Sequence, residues 1–395
     1  MPATPGELFR ILAPDPFDFS RNPRSDPFLT LRVQFQSRKK SFHFRDWISS
    51  FSNIRSVKYR KENKYFLLEW QMGSADLLVL GKHLKTLSPQ WAVLSAQIQK
   101  SWKGYSTHSS WTIPSWGNKI FHWKNRTQVM GVLNITPDSF SDGGRYLDPL
   151  KAADQALQMQ EEGADWIDVG GESTRPGAKP VSASEEKKRI IPVLRACAKA
   201  IRIPISIDTY KVEVALAAVG QGAKLVNDIG ALRLDKAMAK TLARLKVPVI
   251  LMHMKGKPRT MQKNPTYDDV IGELLLFFQE RIRFAIDQGI SEDRILLDPG
   301  FGFGKSPWHN IELLRRIWEF KIMGRPLVMG PSRKSTLGTL LGGVPPEERL
   351  DATLAAVTTA VLKGADFIRV HDVQNTVRAV KIADAVRYDR GLERP

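Results

Sequence analysis

The sequence predicts an α/β protein: a (β/α)8 TIM barrel over residues 111–395, preceded by a small α+β domain over residues 1–110. Three observations carry this. From residue 127 onward, short apolar runs alternate with longer amphipathic stretches, and eight such runs occur about 20–45 residues apart. Continuous apolar strands linked by helices mark parallel strands buried on both faces. Eight units in about 265 residues match the usual size of such a barrel. The third is an absence: no GxGxxG turn follows the first run, which argues against an open, doubly wound sheet.

The elements follow in order. Residues 1–26 are rich in Pro, Asp and Ser and read as an irregular lead-in. Leu31–Gln36 alternates like a strand, and Ile54–Tyr59 and Tyr65–Trp70 are further strand candidates. Ser74–Leu87 and Gln90–Trp102 have helical spacing, and the polar stretch 103–110 reads as a linker. Trp111–Pro114 and Ile120–Trp123 flank a segment with Gly117-Asn118, a hairpin signal placed to close the barrel's N-terminal mouth. The barrel strands are expected at Val129–Leu133, Trp166–Val169, Ile203–Ile207, Leu225–Val226, Pro248–Met252, Ile295–Leu297, Leu327–Met329 and Phe367–Val370.

Composition narrows the function. The apolar share of 42% suits a packed core. The single cysteine, Cys197, rules out a disulfide framework within the chain and reads as an inert, half-buried thiol, which fits a reducing compartment. No segment approaches a membrane span, and the N-terminus carries early acids and no apolar core of a signal. The expected location is the cytoplasm. The net charge of +18 is uneven, with 19 Lys+Arg against 8 Asp+Glu in residues 1–125, where seven of the ten tryptophans also lie. No nucleic-acid motif accompanies that charge, so a basic surface around a small aromatic core is the better reading and nucleic acid is not an expected partner.

In such barrels the chemistry sits where strands end. Here every strand ends in polar residues. The first leads into Asn134 and Thr136-Pro137-Asp138-Ser139-Phe140; the second runs through Asp168 into Glu172-Ser173-Thr174-Arg175-Pro176. Then come Asp208-Thr209, Asn227-Asp228, Met252-His253-Met254, Asp298 with Gly300-Phe301-Gly302-Phe303-Gly304-Lys305, Ser332-Arg333-Lys334-Ser335, and Arg369 with His371-Asp372. One such residue is usually a cap. Eight ends converging on one mouth need a polar ligand, because burying these groups without partners costs several kcal/mol.

Residue types separate into two subsites. Asp208, Asn227, Asp298 and Lys334 suit a flat heterocycle with adjacent N–H donors and a ring carbonyl, such as a pterin. Met254 and Phe303 offer it apolar faces. Arg369 and His371, with Arg175, Thr174 and Asn134, suit a diphosphate, and Asn134 can serve as the one protein ligand to a Mg²⁺ that takes its other oxygens from diphosphate and water. A structural pairing of Arg369 and His371 on Asp372 is the competing reading. Gly302–Lys305 lacks the spacing of a Walker loop, no zinc spacing or GxSxG occurs, and His253 reads as a satisfied strand residue.

Met130–Gly144 (MGVLNITPDSFSDGG), Ile167–Ala178 (IDVGGESTRPGA) and Leu297–Asn310 (LDPGFGFGKSPWHN) resemble the dihydropteroate synthase family, as do Ser206–Thr209, Leu225–Ile229, Ser332–Ser335 and Arg369–Asp372, in family order. The resemblance covers about residues 125–390. It implies a folate-pathway transferase that joins 6-hydroxymethyl-7,8-dihydropterin diphosphate to p-aminobenzoate, releasing pyrophosphate. It implies Mg²⁺ at Asn134 and the pterin at Asp208, Asn227, Asp298 and Lys334, with Gly302 beside it. The diphosphate would lie near Thr174, Arg369 and His371. Phe140, Pro176, Lys334 and Ser335 would form the p-aminobenzoate pocket, where sulfonamides also bind. Loops around 138–144 and 173–180 would cover the site, and the family suggests a homodimer through about Leu350–Lys363 and Val373–Val386. Lys334, Asp208, Asp298, Arg369 and His371 would act by stabilising charge, with no acid/base pair. Pro331, before the SRKS run, departs from the small residue expected there, and residues 1–110 have no counterpart in the minimal family barrel.

Two rival readings compete with this one. A pterin-binding methyltransferase has no use for the Arg175, Arg369 and His371 group. A barrel kept only as scaffold would be free to lose Lys334 or Asp298, and both are present.

Overall fold

The computed structural model describes residues 8–13, 28–35, 54–62, 65–73, 111–112, 120–121, 126–136, 148–173, 180–256 and 258–388, with isolated positions at 41, 44–46, 48–49, 80 and 178. The helices expected at Ser74–Leu87 and Gln90–Trp102 (Leu80 apart) and the linker at 103–110 lie outside the described residues.

The N-terminal body is a four-stranded antiparallel sheet of β1 (Leu8–Ala13), β2 (Phe28–Phe35), β3 (Arg55–Glu62) and β4 (Tyr65–Gly73), in the order β1-β2-β4-β3. Leu31, Val33 and Phe35 recur at every second position and are fully buried, as a two-residue side-chain period requires of one covered face. Leu68 and Trp70 repeat the pattern on β4. Phe44 packs between Phe35 and Trp70, with ring centroids 5.6 Å from each. Ile48, four residues on, is also buried. Strand β1 corrects the expectation of an irregular lead-in. Its sequence, LFRILA, does not alternate, and only pairing with β2 makes it a strand.

A short hairpin follows, β5 (Trp111–Thr112) against β6 (Ile120–Phe121), in the place expected. The barrel strands are β7 (Gln128–Asn134), β8 (Trp166–Gly170), β9 (Ile205–Asp208), β10 (Leu225–Asp228), β11 (Val249–Met252), β12 (Ile295–Asp298), β13 (Val328–Met329) and β14 (Phe367–Val370). All pair in parallel in the order β12-β11-β10-β9-β8-β7-β14-β13, and a parallel bridge from Leu297 to Leu327 closes the ring. Each expected run lands on a strand. β9 and β11 start later than expected because Pro204 and Pro248 have no N–H for the ladder.

The connecting helices are α1 (Pro149–Glu161), α2 (Ala183–Ala200), α3 (Val212–Gly220), α4 (Met238–Leu245), α5 (Val270–Asp287), α6 (Pro307–Arg316), α7 (Ser335–Leu340), α8 (Leu350–Leu362) and α9 (Val373–Tyr388). Asp148 caps α1 by accepting from the Leu150 N–H, and Ser182 caps α2 by accepting from that of Glu185. Cys197 is buried on α2, and burial pushes its thiol up to about 11, so it is inert at neutral pH.

At the N-terminal end of the barrel, Thr127 donates its N–H and hydroxyl to Asp384 of α9, both at 2.7 Å. The Asp366 carboxylate likewise accepts from the Leu327 N–H at 2.9 Å. Above these lies an apolar layer of Met130, Trp166, Leu225, Ile250, Leu296, Val328 and Phe367, all fully buried and drawn from seven strands. Because strand side chains alternate, the residue two positions further along each strand also points inward. Those residues include Asp168, Asn227, Met252, Asp298, Gly330 and Arg369. The fold thus sets a polar floor one step above an apolar one.

Candidate active site

The polar floor opens into a cleft of about 320 Å³ at the C-terminal ends of the strands. Asp208, Asn227, Asp298, Lys334 and Arg369 line it, together with Ile229, Met252, Phe301, Phe303 and the backbone of Gly330. The four residues predicted to hold a ring are therefore brought together. Met254 is not in the lining. It packs behind, in an apolar cluster with Ile229, Met252, Met261 and Phe303 that Tyr210 flanks. The wall is Met252, two residues earlier and in step with Ile250, so strand alternation was the signal that could have found it.

Arg369 is the hub. Its Nε donates to Asp168 at 2.6 Å and its Nη2 to Asp208 at 2.8 Å. Arg369 was expected on the anion side; here its guanidinium is tied to the carboxylates expected on the ring side or beside it. Burial disfavours its charge, yet the two carboxylates outweigh burial and hold its pKa above the ordinary value. Burial pushes Asp208 up to about 7; Arg369 opposes this, and the Asp168 charge adds to it. Asp298 is also raised by burial, against a hydrogen bond from the Gly300 N–H at 2.7 Å.

Asn227 donates its amide to Asp168 at 3.0 Å, and its Oδ1 is buried with no partner among the described residues. Lys334 precedes α7, and its ammonium sits 4.1 Å from the Phe303 ring centroid. Its stem lies along Gly302, where a Cβ would stand 3.1 Å from Lys334 Cδ. Gly302 also has φ +82°, so two constraints favour glycine there. Ser335 opens α7 and is exposed, outside the lining residues.

The loop after β12 is pinned from below. The Lys305 ammonium bonds His253 Nδ1 at 2.9 Å and the carbonyls of Gly300 and Phe303 at 3.0 and 3.1 Å. Burial pushes this amine down to about 7 and holds His253 well below its usual range. Lys305 is thus a buried strut that presents Phe301 and Phe303, in keeping with a loop that is no Walker motif. His253 is a satisfied partner, as expected.

On the other side, His371 faces Ser332. Ser332 Oγ accepts from the His371 N–H at 3.2 Å and meets its Nδ1 at 3.0 Å. Burial, with Arg369 adding, pushes the imidazole down to about 3, so it is neutral at pH 7. Asp372 is not its partner. Arg333 takes that carboxylate through Nε and Nη2, at 3.0 and 2.5 Å, which removes the pairing of Arg369 and His371 on Asp372. Pro331 is buried, and its carbonyl accepts from the Lys334 N–H at 3.3 Å, closing the turn that carries Lys334.

Asn134 ends β7, in register with Gly170, which is in turn in register with Asp208. A Cβ on Gly170 would lie 3.8 Å from Asn134 Oδ1 and 3.6 Å from Asp208 Cβ, so the glycine leaves a notch between an amide and a carboxylate. Thr174, Arg175, Pro176 and Phe140 lie outside the described residues.

Sequence reading missed one network entirely. Lys211 bonds both Glu172 and Glu186, and the Tyr210 hydroxyl donates to Glu172 at 3.1 Å. Glu186 is almost fully buried, and burial raises its pKa. Glu172 stands just before Thr174–Pro176, so the network anchors the start of that segment to the loop carrying Asp208. Its members lie up to 39 residues apart, with no shared motif.

The fold and this site define a barrel enzyme with a polar cleft, walled by apolar side chains, at the C-terminal ends of its strands. In keeping with that, the family model described as "Pterin binding enzyme" matches residues 130–371. The dihydropteroate synthase of Synechocystis sp. is 46% identical over 270 residues, covering 68% of this chain and 93% of that one. Among solved structures, a Xanthomonas albilineans dihydropteroate synthase with 4-aminobenzoic acid superposes with TM-score 0.66 at 43% identity, covering 71% and 99% of the two chains. That bacterium's dihydropteroate synthase in complex with 7,8-dihydropteroate gives 0.63 at 40% identity, covering 71% and 99%. The chain belongs to the dihydropteroate synthase family.

Proposed function

We propose that this chain condenses 6-hydroxymethyl-7,8-dihydropterin diphosphate with p-aminobenzoate, giving 7,8-dihydropteroate and pyrophosphate for folate synthesis. The observation that carries the reading is the cleft itself, where buried acceptors at Asn227 and Asp298 and a half-buried one at Asp208 face one ammonium at Lys334. A pterin answers that pattern, with its amino-pyrimidine N–H groups toward the acceptors and its ring carbonyl toward Lys334. Phe303 and Met252 supply apolar faces.

The chemistry follows from charge. The C–O bond from the pterin's exocyclic carbon to the diphosphate breaks, and its electron pair leaves with the diphosphate. The positive charge left on the ring favours ionisation of Asp208 and Asp298, whose burial otherwise raises their pKa values. His371, being neutral, assists the departing anion as a hydrogen-bond donor rather than as a cation. The neutral aniline nitrogen attacks the carbon and becomes acidic on doing so, so no strong base is required. Thr174, Arg175, Pro176, Phe140 and Ser335 complete the anion and p-aminobenzoate sides in this reading.

Mg²⁺ fits the notch at Gly170. The described residues contain no cluster of three or more His, Cys, Asp or Glu that could hold a metal alone, so Asn134 would be a single protein ligand and the substrate would bring the rest. The ion would supply charge neutralisation on the diphosphate. Asn134→Ala is expected to raise the Mg²⁺ concentration giving half-maximal rate about tenfold; an unchanged Mg²⁺ titration would remove Asn134 from this role.

The reading includes a homodimer through α8 and α9, supported by Ile382 and Val386, exposed at 69% and 51% on α9. It includes a separate N-terminal domain over residues 1–110 and a cytoplasmic location. Among the described residues, no helix is long and apolar enough to cross a membrane. The deciding assay is pyrophosphate release with dihydropteroate formation by the purified chain, given both substrates and Mg²⁺. Folded protein that binds pterin yet never turns over would overturn the synthase reading.

A further inference from the structure

We propose that Asp168 is a positioning residue for the ring subsite, its Oδ2 setting both the facing of the Asn227 amide and the reach of Arg369. The inference rests on the synthase reading and deepens it. Asp168 is fully buried in the middle of β8. In the closed sheet, β10 lies two strands to one side of β8 and β14 two strands to the other. Asn227 stands on β10 and Arg369 on β14. One inward oxygen on β8 therefore receives a donor from each side: Asn227 Nδ2 at 3.0 Å and Arg369 Nε at 2.6 Å.

The amide consequence is the sharper one. The Asp168 oxygen accepts, so it is the Nδ2 arm of Asn227 that faces Asp168. The other arm, Oδ1, is then left for the cleft that Asn227 lines, and it has no partner among the described residues. Asp168 thereby makes Asn227 a third acceptor beside Asp208 and Asp298. A ring edge of N–H donors is matched. An isosteric ring with an acceptor at that edge leaves buried groups unpaired and is rejected. Asp168 touches no substrate in this scheme. It acts through Asn227 and Arg369.

The test uses the full chain and titration calorimetry with pterin lacking the diphosphate, alongside thermal melts and turnover. Asp168→Asn is expected to weaken pterin at least about tenfold, while the KM for p-aminobenzoate changes less than about twofold. Asn227→Ala is expected to cost about tenfold in the parent and little more once Asp168 is Asn. The exchange Asp168→Asn with Asn227→Asp, which reverses donor and acceptor across the pair, is expected to recover most of the lost affinity. Additive losses and no recovery would overturn the proposal. Should Asp168→Asn fail to fold, Asn227→Asp against Asn227→Ala decides. Two carboxylates with no donor between them should bind pterin worse than the alanine variant; if Asp binds better, Asp168 does not set the amide. Parent protein that binds pterin but never turns over removes the synthase reading and leaves this pair test standing, whereas normal turnover with additive losses removes only the present inference.

Discussion

The two ends of the barrel treat buried polar groups differently. At the N-terminal end, Asp384 and Asp366 spend their oxygens on backbone N–H groups and a hydroxyl of the strands beside them. At the C-terminal end, Asp168 Oδ1 and Asn227 Oδ1 are buried with no partner among the described residues. Unpartnered buried atoms also occur at the N-terminal end, at Gln128 Oε1 and Arg294 Nε, both on residues outside the cleft lining. An unmet buried acceptor costs about 1–3 kcal/mol. Asp384 and Asp366 fasten the chain at one end, and Asp168 and Asn227 at the other each keep an oxygen with no partner among the described residues. Stability and chemistry are divided between the two faces, as in barrels generally.

That contrast can be broken in several ways. The largest effect is expected at the mouth: Lys334→Ala should lower kcat/KM by about a thousandfold or more, with a melting temperature close to the parent's. A matching fall in melting temperature would mean that Lys334 serves the fold instead.

Next is the Lys211 network, which mixes both roles. Lys211→Met leaves Glu172 and Glu186 buried without their cation, and about 3–5 kcal/mol of stability should be lost. Denaturant titration measures that. Among molecules still folded, the KM for p-aminobenzoate should rise more than that for the pterin diphosphate, because Glu172 anchors the start of the Thr174–Pro176 segment.

At the opposite end, Asp384→Ala removes two hydrogen bonds and should cost about 2 kcal/mol. Turnover of the folded enzyme should stay within about twofold of the parent. A large loss of turnover would erase the distinction between the faces.

The smallest effect concerns pH. The folded-state pKa of Asp208 is raised from 3.8 to about 7. Between those values the folded chain holds a proton that the unfolded chain has released, so stability falls as pH rises through the window. Asp298 and Glu186 are raised as well and act with the same sign. Asp208→Asn should therefore lose less stability than the parent between pH 5 and pH 8. An unchanged slope would mean that Asp208 does not carry the shift.

Much of this was legible in the residues. The eight strands follow from apolar runs of the right length, because a strand buried on both faces has to be continuously apolar. That Asp208, Asn227, Asp298 and Lys334 share one cleft follows from one rule, that polar residues gather where barrel strands end. β1 was not legible, since its residues do not alternate and its partner determines it. Met252 was passed over for Met254 because reading strand ends favours the last residues, whereas alternation places the inward one two positions after Ile250.

The sequence by itself determined the fold class, the strand order along the chain and the types of group gathered at the mouth. Those properties depend on local periodicity and on where each strand stops. Only the tertiary structure decided who pairs with whom. Arg369 meets Asp168 across 201 residues of chain, and Asp372 goes to Arg333 rather than to His371. Such pairings depend on closing the sheet into a ring, which brings β14 beside β7 and turns Asp168, Asn227 and Arg369 toward one interior. A hydrogen bond needs a distance near 3 Å, and no spacing along a chain encodes a distance across a barrel.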